Sequence, residues 1–311
     1  MYYPYLRGRQ FELIAIRELA SEEALQGAVI PIIEPVKEAI NNLTLAHTIF
    51  SERAQTAYVI ANPVVGDAQG DGRHFLEYLS SLELGTYLPA FHYHANRGYI
   101  EECIDEFNLH DCLLICPNDL SVEDADFKEV AGLDQVSIFT LDDPGRNRSL
   151  NRYLRSLGKG CIRLDDLFER QTRNADFLDI PTHRFSEEHL YFAEDHFLGF
   201  SDYTALASHY SDSGSTPRAV VIHLTYRNDQ NQIWIRHFTS ETNDSISNVQ
   251  GKFAEAAAKA ITYCRANSLT NSAIQELEHY YEDEHYPGLG TVKKISIKNH
   301  ILVVAEYLRN R

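Results

Sequence analysis

The chain has 311 residues, 44% apolar and 23% charged, an ordinary globular balance that excludes global disorder. Twenty-eight basic against 45 acidic residues leave a net charge of −17, which repels phosphate backbones and anionic membranes and argues against general nucleic-acid binding. Five cysteines without repeated spacing argue against a disulfide framework, no N-terminal secretion signal is seen and no apolar run approaches the ~18 residues of a membrane span, so cytoplasm is the expected location.

In chain order, short apolar runs rich in β-branched and aromatic residues predict strands near 2–6, 28–36, 57–64, 87–95, 112–117, 135–141, 159–165 and 197–203. Their centres step by roughly 25 to 30 residues until one longer interval, about one βα unit each. Amphipathic stretches fill the gaps: residues 9–20 place Phe11, Ile14 and Ala15 on one face, and 74–84 do the same with Phe75, Tyr78, Leu79 and Leu82. Residues 219–226 and 232–239 flank the polar turn Asn228-Asp229-Gln230-Asn231 and predict an appended hairpin, although 219–226 is also an alternative eighth strand.

Beyond it, 250–265 carries Phe253, Ala256, Ala257, Ala260, Ile261 and Cys264 at helical spacing. Two further helices are predicted near 270–281 and 292–309, the latter entered through Pro287-Gly288-Leu289-Gly290 and striped by Ile301, Val304, Ala305 and Leu308. The sum is an α/β protein, a (β/α)8 TIM-barrel-like fold over residues 1–240 with its hairpin, and a helical extension over 241–311 packed on it as one structural domain.

In such barrels the site gathers at the carboxyl ends of the strands. Those ends carry Arg7 and Arg9, Glu34, Asn62, His92 and His94, Asn118 and Asp119, Asp142 and Asp143, Arg163 with Asp165 and Asp166, and Asp202. Glu34, His92, Asp142 and Asp165 are the candidate catalytic groups, because clustered carboxylates and imidazoles either exchange protons or hold a cation. His92 and His94, two apart on a strand and so on one face, would join Asp142 around a divalent metal such as Mg²⁺, Mn²⁺ or Zn²⁺; two strand-end imidazoles facing solvent are the plain alternative.

Arg7, Arg9, Asn62, Arg163 and Asp202 are the candidate substrate-binding groups, with the arginines able to clamp an anion through two parallel hydrogen bonds. In each of the pairs Asp142-Asp143 and Asp165-Asp166, one carboxylate is expected to cap a turn or helix and the other to be free. His223 and His237 on the hairpin would either cover the mouth or be plain strand residues, and Gly288-Leu289-Gly290 is either an anion-receiving helix start or a turn. Arg146, Arg148, Arg152, Arg155, Lys159 and Arg163 fall within eighteen residues, a basic helix face.

The opening Tyr2-Tyr3-Pro4-Tyr5-Leu6-Arg7-Gly8-Arg9-Gln10-Phe11-Glu12-Leu13, followed by Val29-Ile30-Pro31-Ile32-Ile33-Glu34-Pro35, resembles the phage beta-protein family and its bacterial relatives. The resemblance implies a barrel-like fold and an origin in phage-related or mobile DNA, where conflict and defence genes cluster, and carries over no catalytic residues. Three function classes stand after this reading: a metal-assisted hydrolase or lyase acting on a phosphate-bearing small molecule, a non-catalytic protein partner in a defence or toxin-control complex, and a ligand-sensing barrel.

Overall fold

The structure, a computed structural model, describes residues 1–70, 72–82, 85–211 and 216–311. Seven parallel strands pair in sequence order: β1 (Tyr5–Leu6), β2 (Ile32–Ile33), β3 (Ala57–Ile60), β4 (Tyr87–His92), β5 (Cys112–Cys116), β6 (Val136–Asp142) and β7 (Gly160–Asp165). The next strand, β8 (Thr182–Ser186), leaves the sheet, and β9 (Gly199–Asp202) completes it. The ring closes where Tyr2 bridges in parallel to both Val29 and Phe200, with the Tyr3 N–H donating to the Phe200 carbonyl at 2.9 Å. All eight lie on the predicted runs, with β6 ending one residue later, and the 197–203 segment rather than 219–226 supplies the eighth.

Side chains alternate across the sheet. Tyr5, Ile32, Tyr58, Ala90, Leu113 and Ile162 stand level or in adjacent layers and fill the barrel, a packed core of its own. The other parity, including Leu6, Val59, Phe91, Phe139 and Phe200, forms a larger outer core under α1 (Gln10–Ser21), α2 (Asn41–Glu52), α3 (Arg73–Ser80), α4 (Arg97–Glu106), α5 (Ala125–Gly132) and α6 (Arg148–Ser156). In α1 the fully buried stripe is Leu13, Ile16 and Leu19 with Ala15, while Phe11 and Ile14 are half-buried, because a second helix covers its other side. Residues 83 and 84 of the helix predicted over 74–84 lie outside the described residues.

Between β7 and β9 the usual outer helix is replaced by a 3-10 turn (Asn174–Leu178), β8 and the single turn α7 (Glu188–Tyr191). The hairpin forms as predicted, β10 (Val221–Arg227) against β11 (Ile233–Thr239), and β8 joins it in the antiparallel order β10-β11-β8. Strand β8 gave no sequence signal because Thr182-His183-Arg184-Phe185-Ser186 holds one apolar residue.

Three helices follow: α8 (Val249–Ala266), α9 (Ser272–Glu282) and α10 (Leu289–Arg309). Helix α8 buries the six residues predicted and forms a second core with Ile222, Leu224 and Leu277. Helix α10 packs on α1 and β10, and its Ile297, Ile301 and Val304 share the outer core with Tyr2 and Phe200. It thus stands where the eighth outer helix of a barrel stands. Lys294 and Lys298, on the buried face of α10, pair with Glu18, Glu276 and, for Lys298, Glu22, so their ammonium groups fasten α10 to α1 and α9. Among the described residues no helix is long and apolar enough to cross a membrane.

Candidate functional site at the carboxyl ends of the strands

Inward parity carried one step past the strands places Arg7 after Tyr5, Glu34 after Ile32, and Asn62 after Ile60, while His92 ends β4 on the same face as Ala90. Glu34 is 0% exposed and is the hub of the group. It accepts the Tyr5 hydroxyl at 2.6 Å, the Arg7 guanidinium, and the Val64 N–H at 2.8 Å. Burial alone would push its carboxyl up, but His92, Arg7 and the Tyr5 hydroxyl outweigh it and hold the pKa at about 2. Glu34 is therefore a fixed anion that orients its neighbours.

The Tyr5 hydroxyl has one proton, and it is given to Glu34. His92 Nε2, 3.0 Å from that oxygen and 3.6 Å from Glu34 Oε1, then faces two acceptors and must carry hydrogen. In the neutral ring this leaves the lone pair on Nδ1. The backbone of His92 is locked by Asn62, whose side chain donates to the His92 carbonyl and accepts its N–H, both at 2.8 Å. Asn62 thus positions the histidine strand.

Asp142, half-buried on β6, accepts a hydrogen bond from Asn118 at 3.1 Å. Burial first, and then Asp143, Asp165 and Asp166, push its carboxyl above the usual range. Tyr203, next inward residue after Ser201, packs against Tyr5 with ring centroids 4.9 Å apart and planes tilted by 51°, and feels the charges of Arg7, Asp142, Glu34 and Asp166, which places it in the mouth. From Tyr203 the chain arches over the mouth: Arg7 donates to the Ser208 carbonyl, Arg9 to that of Ser211, and Ser208 donates its N–H and hydroxyl to Asp166. Tyr5, Tyr203 and Ser208 were missed by reading strand ends alone; extending the alternation of Tyr3 and Ser201 by two residues finds the first two.

Three expected site residues are not brought to this group. Ile162 and Leu164 take the barrel interior, so Arg163 and Asp165 point outward, paired to each other at 2.7 and 3.0 Å and, through Arg163, to Glu188 at 2.6 Å. Asp202 has the same outward parity and is 1% exposed. It accepts from Tyr2 at 2.6 Å and the Thr204 N–H at 2.8 Å and faces His300 of α10, whose other nitrogen lies 3.3 Å from the Thr225 hydroxyl. That buried chain joins barrel, appended sheet and last helix.

The expected metal set is corrected as well. Strand β4 ends at His92, Ala95 adopts a left-handed φ of 58°, and His94 turns out exposed, so the two imidazoles do not share a strand face. Among the described residues no group of three or more His, Cys, Asp or Glu side chains is arranged to hold a metal ion. Helix α6 is capped by Asn147 rather than Asp143, and Asp166 serves Ser208. Asn118 reaches the mouth through its hydrogen bond to Asp142, and Asp119 makes no hydrogen bond or ion pair there among the described residues.

The downstream features resolve structurally. His223 and His237 face each other across the hairpin, Nδ1 to Nδ1 at 2.7 Å, buried against Phe168 and Phe177 with His183 alongside. Gly290 lets α10 approach α1, since a Cβ there would lie 2.0 Å from the Phe11 ring.

No protein-family model and no curated protein matches the chain. Among solved structures, the X-ray structure of the endo-beta-1,4-mannanase from Thermotoga petrophila is similar at 10% identity, over 74% of this chain and 70% of that one, with a TM-score of 0.43. So distant a likeness carries no argument about chemistry, and the barrel rests on its own strand pairing.

Proposed function

We propose that the protein is an acid–base enzyme of the hydrolase or lyase type, acting on a small polar molecule held at the carboxyl-end mouth of the barrel. The observation that supports it is the chain from buried, ionised Glu34 through the Tyr5 hydroxyl to His92 Nε2. A carboxylate behind an imidazole fixes the tautomer and steadies the positive charge that forms when the free nitrogen takes a proton. His92, with a side chain 15% exposed, is assigned as proton acceptor through Nδ1.

Asp142 is assigned as proton donor, since burial first, and then the charges of three other aspartates, shift it toward its protonated form. Arg7 and Tyr203 frame the space between, and the two carbonyls on Arg7 and Arg9 are neutral acceptors that an anionic substrate group would outcompete. This reading needs no metal.

The test is turnover of a panel of p-nitrophenyl esters, phosphates and glycosides by wild type and by His92→Ala and Asp142→Asn. Loss of at least about 100-fold in kcat in both variants, with native circular dichroism, is the expected result for general acid–base groups. Turnover that survives both substitutions, or that no member of the panel elicits, sinks the assignment.

A further inference from the structure

A second site lies away from the mouth, where β8 begins. Strand β8 pairs with β11 from Thr182 opposite Arg236 onward, and the His237 N–H still donates to the Pro181 carbonyl at 2.9 Å, so the open stretch of the β11 edge is residues 238–239. The gap is a groove of about 630 Å³, within the usual size range of small-molecule sites, with Phe177 and Leu178 of the 3-10 turn as one wall and α8 as the other.

Its charge is opposite to that of the protein. The lining carries Arg236 and Lys259 and no acidic residue, in a chain of net charge −17. Arg236 lies 4.3 Å over the Tyr263 ring and 5.7 Å from that of Phe238, which hold the guanidinium in place. Among the described residues no carboxylate lies within ion-pair distance of Arg236, whereas Arg7, Arg97, Arg163, Arg227 and Arg265 each have one. Lys259 caps the unpaired Thr239 carbonyl at 2.8 Å and meets Glu241 at 3.1 Å, but Glu241 is 72% exposed and such a pair is weak.

The floor of the groove is the edge of β11, where His237 and Thr239 are 4% and 2% exposed.

We infer that the groove between β11, α8 and the 3-10 turn binds a small carboxylate with a ring-sized apolar body. The carboxylate takes Arg236 in the two-pronged geometry that guanidinium favours, with Lys259 beside it, and the body lies on Phe177, Leu178 and Tyr263. A free phosphate would satisfy the cations but not the apolar walls. The site shares no residue with the mouth.

Calorimetric titration with 2-naphthoate tests it, using 2-naphthalenemethanol as the neutral analogue and inorganic phosphate as the bare anion. Wild type is expected to bind 2-naphthoate, with affinity at least about tenfold lower for the alcohol and for Arg236→Gln. The mouth variant His92→Ala should bind as wild type does, which separates this site from the proposed enzymatic one. Should Arg236→Gln lose its native circular dichroism, Lys259→Gln at a more exposed position provides the same comparison. No heat with 2-naphthoate at millimolar concentration, equal binding of the alcohol, displacement by equimolar phosphate, or unchanged affinity in folded Arg236→Gln or Lys259→Gln would each overturn the assignment.

Discussion

At the scale of single residues, the mouth is organised by one buried charge. Glu34 is fully enclosed and Arg7 is 15% exposed, so removing the carboxylate leaves a largely desolvated guanidinium without its counterion. Glu34→Gln is expected to cost about 3 kcal/mol, at the lower end for a broken buried pair because the amide oxygen still receives the Val64 N–H. Urea denaturation measures it, and the double variant Glu34→Gln/Arg7→Met should recover part of the loss; a deficit that simply adds would show that the two are not coupled.

The histidines of the appended sheet make a pH prediction. Burial, followed by neighbouring positive charge, depresses His223 to about 3 and His237 to about 2. An unfolded chain takes up these protons near pH 6.5 while the folded one refuses them until about pH 3, so their contribution to stability falls as pH drops through that window. Glu12 and Glu188, raised by burial to about 7 and about 6, act in the opposite sense, because their folded forms bind protons earlier. The measurement is therefore a difference: wild type minus His223→Leu/His237→Leu unfolding free energy, expected to shrink from pH 6.5 to 4. A flat difference would mean that the imidazoles are hydrated.

Elements meet through equally local devices. Replacing a helical glycine by alanine ordinarily stabilises by up to about 1 kcal/mol. At Gly290 the new methyl would fall inside the Phe11 ring, and overpacking of this kind costs about 1–3 kcal/mol, so Gly290→Ala is expected to be destabilising. In a Phe11→Ala background the sign should reverse. Denaturant midpoints of the four proteins decide it, and a stabilised Gly290→Ala alone would show that α10 and α1 can part.

Elements were also the scale at which the sequence spoke most clearly. Eight strands and the last three helices follow from apolar period and spacing, since a buried parallel strand or an amphipathic helix must write its burial into composition. Strand β8 has no such pattern, because its pairing with β11 and not an apolar face makes it a strand. For the site, Arg7, Glu34, Asn62 and His92 were legible and lie in one hydrogen-bonded group, while Asp142 stands on the inward face of β6 without a contact to them. Arg163, Asp165 and Asp202 were taken for mouth residues on position along the strand, when one step of alternation sends each of them to the outer face. His94 failed differently: the alternation rule was applied past the point where the strand stops.

At the scale of the whole molecule, the extension is part of the barrel wall. Helix α10 covers Tyr2 and Phe200, supplies His300 to Asp202, and contributes two lysines to carboxylates on α1 and α9. A chain ending at residue 288 is accordingly expected not to fold, and the full chain to unfold in one step. Trp234, the single tryptophan, reports on the appended sheet, while far-ultraviolet circular dichroism reports mainly on helices throughout. Coincident transitions by both probes are the expected outcome. A separate Trp234 transition would mark the appended sheet as an independent unit.

The bridge between Tyr2 and Phe200 also governs when this protein can become itself. Contacts joining residues 200 apart, such as the Tyr2 hydroxyl to Asp202, must wait until the far partner has been synthesised, and loop-closure entropy opposes them until their neighbours assemble. During translation the first strands can pair with one another but the ring stays open, its first edge bare, until β9 arrives. Nascent chains of this protein therefore pass through a stage with an unpaired, aggregation-prone edge, and it is the last stave, not the first, that makes them safe.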